Sequence, residues 1–176
     1  MTTPPADYDP TRHPDLLAWL TERQAAFEPW AHEAGGVDLF DFSDASLEAL
    51  GNLIREAFAE MEEVTAQRRT PFVQGAVWYI GETLCRRRGW VWKYQPDINF
   101  GQLAPFYGEV ENRGLSDTPS VGAPGRDADP EEDLYPLNIV RRVVSPEDIL
   151  GDPVDECLVG MVEGWYDDED EEDGEE

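Results

Sequence analysis

TPFVQGAVWYIGETLCRRRG, residues 70–89, is the stretch on which the fold turns. Thr70-Pro71 has the form of an N-cap followed by a proline in the first helical turn, where the missing N–H costs nothing. Gly89 has the form of the glycine that stops a helix. Between them apolar residues occupy nearly every side of a helical wheel, which predicts a long helix buried on several faces. Gly75 and Gly81 weaken helix propensity and, with the small Ala76, make sense where a neighbouring backbone must come close. This helix is expected at the centre of the fold.

Upstream, Leu47, Leu50, Leu53, Ile54, Ala57, Phe58, Met61 and Val64 recur at steps of three and one. That spacing predicts a second long helix over about 45–68, with Ser43 and Asp44 as its caps. Pro14, Leu16, Leu17, Leu20, Gln24 and Phe27 predict an N-terminal helix over 14–27, ended by Pro29, with His13 as its lead-in. Gly35-Gly36 breaks the chain, and Val37–Phe42 reads as a short strand or extended lead.

Downstream the period changes to two. Trp90, Trp92 and Tyr94 fall on one face of a strand, with Val91 and Lys93 on the other. Ile98–Leu103, Phe106–Val110, Leu137–Val144 and Cys157–Val162 are further strand candidates, and Ser145-Pro146-Glu147-Asp148 reads as a capped helical turn. Residues 111–136 hold four Pro, three Gly and seven carboxylates without periodicity, and read as a long acidic loop. The expected fold class is α+β: two long helices plus an N-terminal helix packed on a small, mainly antiparallel sheet. The expected organisation is a flexible lead over 1–13, a single α+β domain over 14–166 and a disordered acidic tail over 167–176.

The chain has 176 residues, with 39 Asp and Glu against 13 Lys and Arg, for a formal net charge of −26. The last ten residues contain nine carboxylates, so the rest of the chain still carries −17. Nucleic acid and anionic membranes are held through Lys and Arg, so neither is an expected partner. The N-terminus has no basic region followed by an apolar stretch. The longest apolar run, around Phe72–Ile80, falls well short of the ~20 residues that span a bilayer. Cys85 and Cys157 make neither a disulfide framework nor a zinc motif. A cytoplasmic protein with two free thiols is expected.

Chemistry-bearing residues are few. No Walker-type loop, HExxH, GxSxG or GxGxxG occurs, and no catalytic residue, metal or cofactor is expected. Glu82 is the one carboxylate embedded in the apolar helix. A buried, unpaired carboxylate would have a raised pKa suited to acid or base work, but Arg86 lies four residues on and can pair with it. Arg86, Arg87 and Arg88 form a basic run suited to a helix C-terminus. Trp90 and Trp92 could present a stacking face, although such stripes are more often core. Glu82, Arg86, Trp90 and Trp92 are therefore the candidate functional residues.

Leu39-Phe40-Asp41-Phe42-Ser43 with Ser46-Leu47-Glu48-Ala49-Leu50, then Gly75–Glu82 and Gly89-Trp90-Val91-Trp92, is similar to a pattern in small uncharacterised bacterial α+β families. These have an "LDFS…SL" helix start, a "GAYxGE" helix and a "GxW" strand. The resemblance covers about 37–113 and places Glu82 on the Glu of the second motif. Some of these families look like immunity or interaction proteins of contact-dependent toxin systems. The resemblance implies an immunity or interaction protein, and the acidity of the chain implies a basic protein as its partner, so the expected function is a noncatalytic acidic protein-binding module, immunity-like or antitoxin-like. An enzyme using Glu82 and a nucleic-acid mimic are the alternatives.

Overall fold

The computed structural model describes residues 8–95, 105–108, 115, 117–125, 128–145 and 158–163. The expected strand Ile98–Leu103, nearly all of the turn after Ser145, and the tail over 167–176 lie outside these residues. The described elements are α1 (Pro14–Ala34), α2 (Asp44–Ala57), α3 (Met61–Ala66), α4 (Pro71–Arg88), β1 (Val91–Lys93), β2 (Ser120–Gly122), α5 (Pro136–Val144) and α6 (Leu158–Glu163). The fold is α+β, with more helices and a smaller sheet than expected. That sheet has two antiparallel strands, pairing Val91 with Gly122, Trp92 with Val121 and Lys93 with Ser120.

α4 is the centre, as the sequence predicts. Every residue from Val73 to Gly81 is buried, and so are Thr83 and Leu84. α1, α5, α6 and both strands contact it, while α2 and α3 pack on α5. The helix ends at Gly89, whose φ of 66° is left-handed and suits glycine. Thr70 holds the N-cap position in extended backbone, but its hydroxyl donates to the Gln67 carbonyl (2.8 Å) instead of capping. The two inner glycines each receive an indole. A Cβ on Gly75 would lie 2.2 Å from Trp30 Nε1, and one on Gly81 would lie 2.1 Å from Trp92 Cη2. Neither position has room for a side chain.

Several elements depart from the sequence reading. α1 runs through Pro29 to Ala34 instead of stopping near residue 27. An interior proline costs a helix about 3 kcal/mol. Here the next two residues, Trp30 and Ala31, are buried, and the Trp30 indole donates to the Phe72 carbonyl (3.2 Å). That packing holds the helix together past the proline. The single helix expected over 45–68 is two, α2 and α3, separated at an extended Phe58. Glu63, in the first turn of α3, accepts the Ala59 N–H (2.8 Å) and so ties the connection to the new helix.

Val37–Leu39 is a 3₁₀ turn and not a strand. Phe106 and Tyr107 lie in a turn closed by Gly108 N–H to the Pro105 carbonyl (2.8 Å). Leu137–Val144 is part of α5, and Leu158–Val162 is part of α6, so the last two expected strands are helices. In α5 the buried Leu137, Val140, Val143 and Val144 follow helical spacing, and burial of that face outweighs the β-propensity of the valines.

Tyr79 ties the centre to the entry of α2. Its hydroxyl accepts the Phe42 N–H (2.6 Å) and shares a hydrogen bond with Ser46 Oγ (2.6 Å). Burial pushes its pKa up, and the bonds to Ser46 and Phe42 pull partly against that. Phe42 has a φ of 66°, so this strained residue depends on the hydroxyl for its N–H partner. Tyr79→Phe is expected to cost about 1–3 kcal/mol in urea unfolding, because it strands a backbone donor without changing the ring.

Candidate functional site

The candidates Glu82, Arg86, Trp90 and Trp92 gather around the C-terminal half of α4 and the segment after it, where Glu82 pairs with Arg86, Trp90 lies beneath Arg88 and Trp92 lies against Gly81. Glu82 accepts from Arg86 Nε at 3.1 Å, the i,i+4 pair that the spacing predicts. Its side chain is 26% exposed and that of Arg86 53%. The burial that would tune Glu82 as an acid or base is therefore partial. Arg86 also lies over the Phe42 ring, 3.7 Å from its centroid, and Phe42 in turn stacks on Tyr79 at 4.7 Å.

The rest of the basic run is engaged as well. Arg87 pairs with Asp44 (2.8 Å) and Glu163 and donates to the Phe42 carbonyl (2.9 Å). Partial burial opposes its charge, but the two carboxylates prevail and raise its pKa. Arg88 donates to the Val162 carbonyl (2.7 Å) and lies over the Trp90 ring at 4.7 Å. These arginines tie α2, α6 and β1 to the end of α4, which leaves little for a free anion.

Trp92 and Tyr94 are buried, whereas Trp90 is half-buried beneath Arg88. Trp92 fills the space over Gly81 and meets the Trp19 edge at 5.3 Å. The stripe is therefore mostly core. His13, the predicted lead-in to α1, accepts the Asp15 N–H at Nδ1 (3.2 Å) and packs edge-on to Tyr94. Tyr94 N–H donates to the Pro10 carbonyl (2.9 Å), so the end of the expected flexible lead packs against β1. Cys85 is half-buried, and burial together with the nearby Glu82 charge pushes its thiol up to about 12. It is a poor nucleophile near neutral pH.

The charged groups most withdrawn from water were not singled out from the sequence. Arg68 holds Asp117 through two bonds, Nη1–Oδ1 at 2.9 Å and Nη2–Oδ2 at 2.6 Å, with side chains 3% and 1% exposed. Arg68 also donates to the Gly108 carbonyl, and Arg69 Nε donates to that of Tyr107 (2.9 Å). Gln74 links this cluster inward, donating to the Arg68 carbonyl (2.7 Å) and accepting the Trp19 indole N–H.

Lys93 meets Asp133 at 2.7 Å, with side chains 3% and 2% exposed, and Gln95 and Ser120 bond the second carboxylate oxygen. Gly122 makes room for this pair, since a Cβ there would lie 1.7 Å from Asp133 Oδ1. Asp117 and Asp133 both belong to the stretch expected as an acidic loop. Part of that stretch is instead β2 and the two buried carboxylates that hold it against the core.

Each of these buried charges has an opposite charge, and Arg68 and Asp133 have further hydrogen bonds, the arrangement of structural pairs. Among the described residues no three His, Cys, Asp or Glu gather as a metal site, and no helix is long and apolar enough to cross a membrane. No family model, no curated protein and no solved structure matches the chain.

Two outcomes follow from the pairs. Lys93 is the only lysine in the sequence, and an amine-reactive ester applied to the native protein should leave it unmodified, while the same reagent in denaturant labels it fully, as read by peptide mass spectrometry. Asp133→Ala should cost about 3–5 kcal/mol in urea unfolding, and the double substitution Lys93→Met with Asp133→Leu should cost clearly less, because no unpaired charge is left buried.

Proposed function

We propose that the protein is a noncatalytic acidic binding module, immunity-like or antitoxin-like, that engages a basic protein partner. The observation that carries this reading is the disposal of charge. Among the described carboxylates only Asp117 and Asp133 are buried, and each is matched by a cation. The exposed acids of α1, α2 and α3 include Glu28, Glu33, Glu48, Glu56, Glu62 and Glu63. On the positive side, Arg68 and Lys93 are spent inside, and Arg86, Arg87 and Arg88 are engaged in contacts within the chain.

Most of the acids among the described residues are therefore directed at solvent. A surface of one sign steers and selects a partner of the other. Glu82 is paired and partly exposed, which favours this reading over an enzyme built on that residue. The exposed acids among the described residues are also spread over several helices, which favours it over a nucleic-acid mimic.

A pull-down from native lysate at about 50 mM and about 500 mM salt tests the proposal, since screening shortens the reach of exposed charge. A basic protein retained at low salt and released at high salt is expected. Finding no partner, or one retained equally in both, would count against the charge argument.

A further inference from the structure

Away from the candidate residues of α4 and β1, the ends of two helices form a cleft with a character of its own. Trp30 and Ala34 of α1, Leu53 and Ala57 of α2, and Phe72 at the start of α4 surround a volume of about 310 Å³. That is near the lower end of the ~300–1,000 Å³ of ligand clefts, room for one large or two medium apolar side chains.

The base of the cleft is held firmly. Trp30 lies against Gly75, where no side chain could fit, and its indole N–H is bound to the Phe72 carbonyl at 3.2 Å. The Phe72 ring is braced by Phe58, with centroids 6.2 Å apart. Such a floor does not collapse when left uncovered, because its largest ring is fixed by backbone on one side and a hydrogen bond on the other.

The rim has one sign. Glu33 and Glu56 complete the lining, and both are exposed. Among the described residues no basic side chain lines the cleft. α1 ends at Ala34 and α2 at Ala57, so two helix C-termini meet at the same place and add their partial negative charge to the two carboxylates.

An apolar floor under an anionic rim is complementary to one kind of surface. We propose that this cleft docks a segment of a basic partner protein, with one or two apolar side chains entering it and Lys or Arg on either side meeting Glu33 and Glu56. The proposal rests on the reading of the chain as a binder of basic proteins and goes further by naming where the partner sits. The chain itself is a poor occupant. Nine of its last ten residues are carboxylates, and a second copy brings the same net −26 towards the same acidic rim.

The test is selection of a random peptide library on the immobilised full chain at about 50 mM salt, followed by binding of the enriched peptides to two variants. Ala57→Trp fills the cleft from an exposed position, and Glu33→Gln with Glu56→Gln removes the rim charge without removing bulk. Circular dichroism and urea midpoints check that both fold, and the rim variant carries the test if Ala57→Trp does not.

Enriched peptides should share an apolar residue flanked within a turn by Lys or Arg. They should bind about tenfold more weakly to Ala57→Trp and about threefold more weakly to the rim variant. Basic peptides without an apolar anchor that bind Ala57→Trp undiminished would overturn the cleft and leave the general charge reading standing. Neutral or acidic peptides lost on Ala57→Trp would keep a docking cleft but contradict the basic partner. No enrichment would count against both. A wild-type dimer in sedimentation that Ala57→Trp dissociates would assign the cleft to a second copy and overturn the proposal.

Discussion

Two indole rings press against the backbone of α4 where it has no side chains, and the remaining architecture follows from that closeness. Gly75 and Gly81 are six residues apart, which at about 100° per residue places them roughly a third of a turn apart around the helix. One site receives Trp30 from α1 and the other Trp92 from β1. A single helix thereby anchors the N-terminal helix on one side and the sheet on another. Each glycine costs about 1 kcal/mol of helix propensity relative to alanine, and burial of a large aromatic surface offsets it. The same contact fixes Trp30 as the floor of the acid-rimmed cleft, so a packing constraint in the core shapes a feature of the surface.

The second organising element is electrostatic. Arg68–Asp117 and Lys93–Asp133 hold stretches with few other reasons to fold. Buried ion pairs add little net stability, since desolvation consumes most of the attraction, but leaving either partner alone is costly. Their effect is to select which segment closes over the core. Asp133 can reach Lys93 only because Gly122 stands opposite Val91 in the ladder, so the glycine and the register of β1 and β2 require one another. Among the described residues the buried charges are thus paired, and most of the other acids lie at the surface.

The parts legible in the sequence are those whose signals are local. The bounds of α4 follow from Pro71 and Gly89, the start of α2 from Ser43, and the Glu82–Arg86 pair from a spacing of four. What stayed hidden depends on distant partners. Nothing near Pro29 announces that Trp30 will bind the Phe72 carbonyl and carry α1 onward. The valines of α5 favour a strand until the burial of a helical face outweighs them, although the recurrence at Leu137, Val140, Val143 and Val144 was there to be counted. Lys93 and Asp133 are forty residues apart, and an aspartate among other acids gives no sign of burial. The cleft draws on three helices, so no single stretch encodes it. The isolation of Lys93 as the sole lysine was the one available hint that it had a particular place.

The account depends most on the claim that α4 needs glycine at position 81 because the Trp92 ring occupies the space of a side chain. A double-mutant cycle between Gly81→Ala and Trp92→Leu, read by urea unfolding, addresses that claim directly. In the wild-type background Gly81→Ala should cost about 2 kcal/mol, as an overpacked core position does. In the Trp92→Leu background the cost should vanish, or become the gain of up to about 1 kcal/mol that alanine brings to an unobstructed helix. An equal cost in both backgrounds would contradict it.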